Sequence, residues 1–147
     1  MIAYLDTSAF VKLIVDEEGA GDARSWFAAA RPAITSVITY PEACSALGRR
    51  ARRAGGEDVP LDEWIAALNA RWHRVLAVHA NSQPAGMLAL KHGLRGMDAV
   101  QLGSAIRTRE RLREQGEEDQ LLFAAFDRRL LEAAEREGFA TLGGPLE

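Results

Sequence analysis

Apolar positions in this chain alternate between short clustered runs and longer stretches at helical spacing. Ile2 to Leu5 has the length of a strand, and Phe10, Leu13 and Ile14 then recur at helical spacing, with Gly19 and Gly21 expected to stop that helix. A second helix is expected around Asp22 to Ala30, carrying Trp26, Phe27 and Ala30. Pro32 introduces a β-rich segment, Ala33 to Val37, and a helix follows from about Tyr40 to Ala54, ended by Gly55 and Gly56. Leu61 to Arg74 reads as a further helix, Val75 to His79 as an alternating strand, and about Ser82 to His92 as a helix closed by Gly93. After Gly96 a helix is expected from Met97 to about Gln115. Its far end, Glu110 to Gln120, is densely charged and reads as a solvated extension and loop. Leu121 to Phe126 is an apolar strand, Arg128 to Glu137 a helix ended by Gly138, and Phe139 to Leu142 a last short strand.

Strands joined by helical crossovers predict an α/β fold with a mainly parallel sheet covered on both faces, because parallel neighbours need connections of that length. No repeat, low-complexity tract or Pro/Gly-rich linker interrupts the pattern, so residues 1–147 are expected to form one domain. Ligands of such sheets bind beyond the carboxyl ends of the strands.

Composition narrows the function classes. At 147 residues, 48% hydrophobic and 27% charged, the chain has the balance of one globular domain. Its apolar runs fall far short of the roughly 18 residues that would span a bilayer, and Met1 to Asp6 carries no secretory pattern, so a cytoplasmic location without membrane contact is expected. One cysteine, Cys44, excludes an intramolecular disulfide framework and a Cys-based zinc cluster, and is expected to be a small core residue. The net charge of −3 neither announces nor excludes a nucleic-acid partner. Only Lys12 and Lys91 are lysine among 18 basic residues, a ratio that phosphate recognition or genome base composition explains equally.

Four acids fall where strands finish or helices begin. Asp6 ends the first strand, Glu42 sits in the first turn after the second β segment, Asp98 opens a helix and Asp127 ends a strand. In a parallel sheet such places share one edge. Each acid also has a plainer explanation, since carboxylates at helix N-termini serve as caps and favour the dipole. Thr39-Tyr40-Pro41-Glu42 matches a capping box, and Asp127 before Arg128-Arg129 reads as an N-cap. Asp98 precedes Leu102 and Ala105 on an inward-facing stripe, and Asp6 precedes Thr7 and Ser8, either of which can cap without it. Jointly the acids point elsewhere: two carboxylates about 4 Å apart repel by roughly 4 kcal/mol at an effective dielectric of 20. A convergent quartet therefore calls for cations or raised pKa values. Oxygen donors without histidine or cysteine favour Mg²⁺ or Mn²⁺, which suit phosphoryl chemistry.

Four segments carry a family likeness. Leu5-Asp6-Thr7-Ser8-Ala9-Phe10-Val11-Lys12-Leu13, Pro41-Glu42-Ala43-Cys44-Ser45-Ala46-Leu47, Gly93-Leu94-Arg95-Gly96-Met97-Asp98-Ala99-Val100-Gln101-Leu102 and Phe126-Asp127-Arg128-Arg129-Leu130-Leu131-Glu132-Ala133-Ala134 resemble, in order and spacing, the PIN-domain ribonucleases, most closely the VapC toxins of toxin–antitoxin pairs. The likeness covers essentially the whole chain. It implies a five-stranded parallel sheet flanked by helices and a metal-dependent endoribonuclease that attacks a phosphodiester with activated water. Asp6 and Asp98 would be the direct Mg²⁺ ligands (with Mn²⁺ able to substitute), Asp127 would help hold the metal or its waters, and Glu42 would orient or deprotonate the water. Ser8 would support Asp6. An RNA substrate, a small cognate antitoxin and a homodimer are the implied partners. Two departures stand out: Ala125 occupies a position where many relatives carry Thr or Ser, and Arg109 to Gln120 is longer than the usual connection.

Other features have both chemical and structural readings. Arg49, Arg50, Arg52 and Arg53 can contact RNA phosphates or simply favour a helix C-terminus. Lys12 can reach a substrate or antitoxin or snorkel, and Trp26 or Phe27, if exposed, would mark an antitoxin groove. His73, His79 and His92 lack metal-ligand spacing. A haloacid-dehalogenase-type phosphatase needs an acid where Ser8 stands, and a receiver-like module needs adjacent acids and a late lysine, which this chain lacks. A housekeeping RNA-processing nuclease and a non-catalytic α/β interaction module remain as alternatives. An adjacent small antitoxin reading frame would separate toxin from housekeeping enzyme.

Overall fold

The structure, a computed structural model, describes residues 1–55, 58–117 and 120–143. Gly56, part of the charged Glu110 to Gln120 stretch, and the last four residues of the expected 1–147 domain lie outside the described residues. In chain order the elements are β1 (Ile2–Leu5), α1 (Thr7–Val11), α2 (Ala20–Ala29), β2 (Ala33–Ser36), α3 (Thr39–Arg53), α4 (Leu61–Trp72), β3 (Val75–Val78), α5 (Ser82–His92), α6 (Gly96–Glu114), β4 (Leu121–Ala125), α7 (Arg128–Arg136) and β5 (Ala140–Gly143).

The five strands form one sheet in the order β3-β2-β1-β4-β5. Every neighbouring pair is parallel, with Ala3 beside Ala33 in β2 and Leu122 in β4. β1 and β2 are buried along their whole length, whereas β3 and β5 at the sheet margins are partly exposed. Alternation along β1 divides the core in two, as side chains of successive strand residues point to opposite faces. Ile2 and Tyr4 join Phe123, α6 residues such as Leu102 and α7 residues such as Leu130 on one face. Ala3 and Leu5 join Phe10, Phe27, Leu47 and Leu68 from α1 to α4 on the other. The chain runs outward from β1 through β2 to β3 and then returns to β4 on the opposite flank. The sheet thus has a topological switch between β1 and β4, the crevice where open α/β sheets bind ligands.

Several element bounds differ from the sequence reading. α1 ends at Val11, and the amides of Leu13 and Ile14 bond to the carbonyls of Phe10 and Val11, so the apolar spacing continues in tight three-residue turns. Gly19 does not stop that helix but starts α2, in left-handed conformation at φ 86°. A Cβ there would stand 2.8 Å from the Phe126 ring, which explains the glycine on space as well as on conformation. Gly21 lies inside α2. β4 stops at Ala125, leaving Phe126 and Asp127 as the loop into α7. Elsewhere bounds shift by a residue or two, and α5 spans Ser82–His92 as expected, closed by Gly93 at φ 64°. Among the described residues no helix is long and apolar enough to cross a membrane.

Candidate active site

Asp6 leaves β1 and caps α1, accepting the amide of Ala9 at 2.9 Å on Oδ1. Thr7 and Ser8, the expected alternatives, do other work. Ser8 Oγ donates to the same Asp6 oxygen at 2.7 Å and accepts the Phe126 amide at 2.9 Å, so one hydroxyl ties the end of β1 to the loop after β4. This is the support that Ser8 was expected to give. Ser8→Ala leaves the Phe126 amide unpaired and removes a donor from Asp6, and is expected to lower unfolding stability by about 1–3 kcal/mol in denaturant melts. Asp127, across the switch point, is exposed and caps α7 by accepting the Leu130 amide at 2.9 Å.

The capping box proposed for Thr39 and Glu42 is not formed. The residue before α3 is Ile38, which makes no side-chain cap. Buried polar partners claim both side chains instead. Thr39 Oγ1 is 2.7 Å from Thr35 Oγ1 and accepts from Gln101 Nε2 at 3.0 Å. Glu42 Oε1 accepts from Thr7 Oγ1 at 2.7 Å and from Gln101 Nε2 at 3.2 Å. Asp98 sits in the first turn of α6 without capping it and is half-buried rather than fully inward.

Electrostatics show that these acids share one edge. Burial pushes the Asp6 carboxyl up from 3.8 to about 7; bonds from Ser8 and Ala9 oppose the shift, and the charges of Asp98 and Asp127 add to it. Asp98 is likewise raised by burial, then by Asp127 and Glu42, with Arg95 acting against. Asp6 therefore feels Asp98 and Asp127, and Asp98 feels Asp127 and Glu42, across the carboxyl edge of β1, β2 and β4. Among the described residues no three His, Cys, Asp or Glu side chains gather closely enough to hold a metal ion by themselves. The donor set fits instead a hard cation that keeps several waters and takes one or two carboxylates, as Mg²⁺ does. Asp6 and Asp98, both raised chiefly by burial and further by neighbouring carboxylates, are the pair such an ion would relieve.

Basic residues border the acids. An open cleft of ≈ 460 Å³ is lined by Asp98, Thr7, Ser8, Lys12, Glu17, Arg49, Arg50, Arg95 and Phe126, among others. Lys12 is not a free surface cation: it is buried, bonded to Glu17 at 3.1 Å and to the Glu18 carbonyl at 2.8 Å, with its ammonium 5.0 Å from the Phe126 ring centre. Glu17 also pairs with Arg50 at 3.1 Å, and Arg50 Nη1 is buried with no hydrogen-bond partner among the described residues. Arg49 is exposed, while Arg52 and Arg53 do not line the cleft. Phe27 is buried, and Trp26 stacks on Phe126 at 5.2 Å. His73 and His79 are exposed, and His92 pairs with Glu137 at 3.1 Å. Cys44 is half-buried against the core. A second cleft of ≈ 350 Å³, between α5 and α6 around Met87, Leu88 and Ile106, contains none of the four acids.

An open parallel α/β sheet with acids gathered at its switch point belongs to the class of α/β folds that bind ligands in that crevice. The particular family follows from comparison with known sequences: the profile of the PIN domain matches residues 3–136, and this chain belongs to the PIN-domain family. Two curated relatives, Ribonuclease VapC45 and Ribonuclease VapC49 from strains of Mycobacterium tuberculosis, are each 33% identical over 140 residues, covering 93% of this chain and 92% of theirs. Among solved structures, PAE2754 from Pyrobaculum aerophilum superposes with a TM-score of 0.66 at 20% identity, covering 96% of this chain and 89% of that one. Mycobacterium tuberculosis VapC20, described as a sarcin-ricin loop cleaving toxin, superposes with a TM-score of 0.58 at 20% identity, covering 94% and 96%. These two structures share the fold.

The sequence reading missed the polar layer beneath the acids. Gln101 and Thr7 hold Glu42, Tyr4 and Thr39 bond Gln101, and Thr35 bonds Thr39; only the capping pattern hinted that Thr39 had a partner. Ala125 is fully buried in the apolar core.

Proposed function

We propose that this chain is a Mg²⁺-dependent endoribonuclease, the toxin of a toxin–antitoxin pair, which hydrolyses RNA phosphodiesters at the acidic edge. The observation that carries the reading is the gathering of acids at the switch point, where Asp98 and Asp127 add to the burial that raises Asp6, and Asp127 and Glu42 add to the burial that raises Asp98, in a chain whose relatives are named ribonucleases. Asp6 and Asp98 would hold the ion and Asp127 its waters; when bound, Mg²⁺ or Mn²⁺ would neutralise phosphate charge and lower the pKa of an attacking water. Glu42, anchored through Oε1, keeps Oε2 outside that pair of bonds to orient the water and take its proton. Arg49, Arg50 and Arg95 lie beside Asp98 to receive the phosphates flanking the cut.

The test incubates total cellular RNA with the purified protein and Mn²⁺ or Mg²⁺ and maps new 5′ ends, beside Asp98→Asn and a chelator control. Discrete ends that vanish in both controls are expected; ends that persist in Asp98→Asn contradict the assignment. Arg49→Ala is expected to raise the KM for RNA about three- to tenfold at unchanged kcat and to reduce the salt slope by about one, read from kinetics at several salt concentrations. The small antitoxin is tested by co-expressing an adjacent short reading frame and measuring loss of cleavage. The homodimer is tested by light scattering; exposed Leu76 on β3 and Met87 and Leu90 on α5 provide apolar surface for it.

A further inference from the structure

Gln101 lies one turn after Asp98 on α6 and is 2% exposed. A buried primary amide must place both hydrogens and its oxygen, and its neighbours here leave one orientation. Glu42 Oε1, as a carboxylate, only accepts, so the atom 3.2 Å away has to be the amide nitrogen. The amide oxygen then faces Tyr4, whose hydroxyl donates to it at 2.6 Å. Nε2 also serves Thr7 Oγ1 at 2.9 Å and Thr39 Oγ1 at 3.0 Å.

The direction of the remaining bonds follows. Thr35 Oγ1 donates to the Leu5 carbonyl at 2.7 Å, so its own proton is committed and Thr39 must donate to Thr35. A single polarised path runs from Tyr4 through Gln101, Thr39 and Thr35 to the carbonyl immediately before Asp6. A branch runs from Gln101 to Thr7 and Glu42. One side chain thus fixes the end of β1, the start of α1 and the first turn of α3 relative to the helix that carries Asp98.

We propose that Gln101 is a positioning residue for hydrolysis, fixing the Glu42 carboxylate through Oε1, with Thr7 as its co-donor and Tyr4 locking the amide. The inference rests on the ribonuclease reading for its kinetic consequence and on geometry alone for its structural one. Removing a partner that orients a working side chain commonly costs about 10–100-fold in activity.

Kinetics of Gln101→Met in Mn²⁺ are expected to show kcat lowered about 10–100-fold, with the KM for RNA and the Kd for Mn²⁺ within about twofold of wild type. Wild-type kcat, or a loss confined to KM, overturns the proposal. A second measurement needs neither activity nor a folded Gln101 variant: ¹⁵N-labelled wild type and Glu42→Ala are compared by NMR at the Gln101 side-chain amide. Slow-exchanging, well-separated amide protons in wild type that shift and exchange at least about tenfold faster in Glu42→Ala are expected; a signal unmoved by Glu42→Ala overturns the proposal. Wild-type protein that cuts no RNA overturns the ribonuclease reading instead and leaves the amide comparison standing.

Discussion

Asp6→Asn is expected to abolish RNA cleavage while making the metal-free protein more stable at pH 8. In the proposed function Asp6 would hold the ion, and losing the several kcal/mol of charge stabilisation that the ion would supply corresponds to about a thousandfold or more in rate at roughly 1.4 kcal/mol per tenfold. The stability gain comes from the same carboxylate. Its pKa is 3.8 as a free side chain and about 7 in the fold, chiefly through burial and then through Asp98 and Asp127. Between those values the folded chain binds more protons than the unfolded one, so stability falls as pH rises from about 4 to about 7 and stays low above. At about 1.4 kcal/mol per pH unit, ionised Asp6 costs the fold up to about 4 kcal/mol at pH 8. Asparagine keeps the cap to the Ala9 amide and the bond from Ser8 without carrying that charge. Thermal melts in chelator should therefore show a higher Tm for Asp6→Asn at pH 8, and the gap should close toward pH 4. A Tm lowered at both pH values would mean that Asp6 serves as a cap alone.

Phe123→Ala has the opposite sign. Phe123 is fully buried on β4, stacked on Tyr4 at 5.4 Å and tilted against Phe139 at 5.8 Å. Truncating a buried phenylalanine costs about 3–5 kcal/mol through lost transfer energy and the cavity left behind, out of a total stability of about 5–15 kcal/mol. Urea unfolding should show the midpoint falling at unchanged slope. The loss acts on function through position, because Tyr4 also holds the Gln101 amide and β4 leads into Asp127. An unfolding free energy within about 1 kcal/mol of wild type would contradict the packing described.

Much of the fold was legible because its signals are local. β1 is a wholly apolar run, and α5 is bounded by a Gly that the backbone needs at positive φ. The four acids were legible as a group because strand ends and helix starts share an edge in any parallel sheet. Their individual roles were not. Thr39 and Glu42 fit a local capping pattern, but tertiary partners 35 to 62 residues away in sequence outbid it. Nothing in the local sequence distinguishes Gln101 from a surface glutamine, since its four side-chain partners come from β1, α1 and α3. Lys12 and Arg50 looked like independent cations, and it is Glu17, in the turn after α1, that joins them. The turn itself escaped notice because Leu13 and Ile14 keep helical spacing while their amides make three-residue rather than α-helical bonds.

The most direct test of a cation-binding carboxyl edge is a Mn²⁺ titration followed by the loss of the free-ion electron paramagnetic resonance signal, comparing wild type with Asp6→Asn and Asp98→Asn. Saturable binding by the wild type, weakened at least about tenfold in each variant, is the expected result. Equal binding by all three proteins, or no saturable binding by the wild type, would contradict a metal site at Asp6 and Asp98.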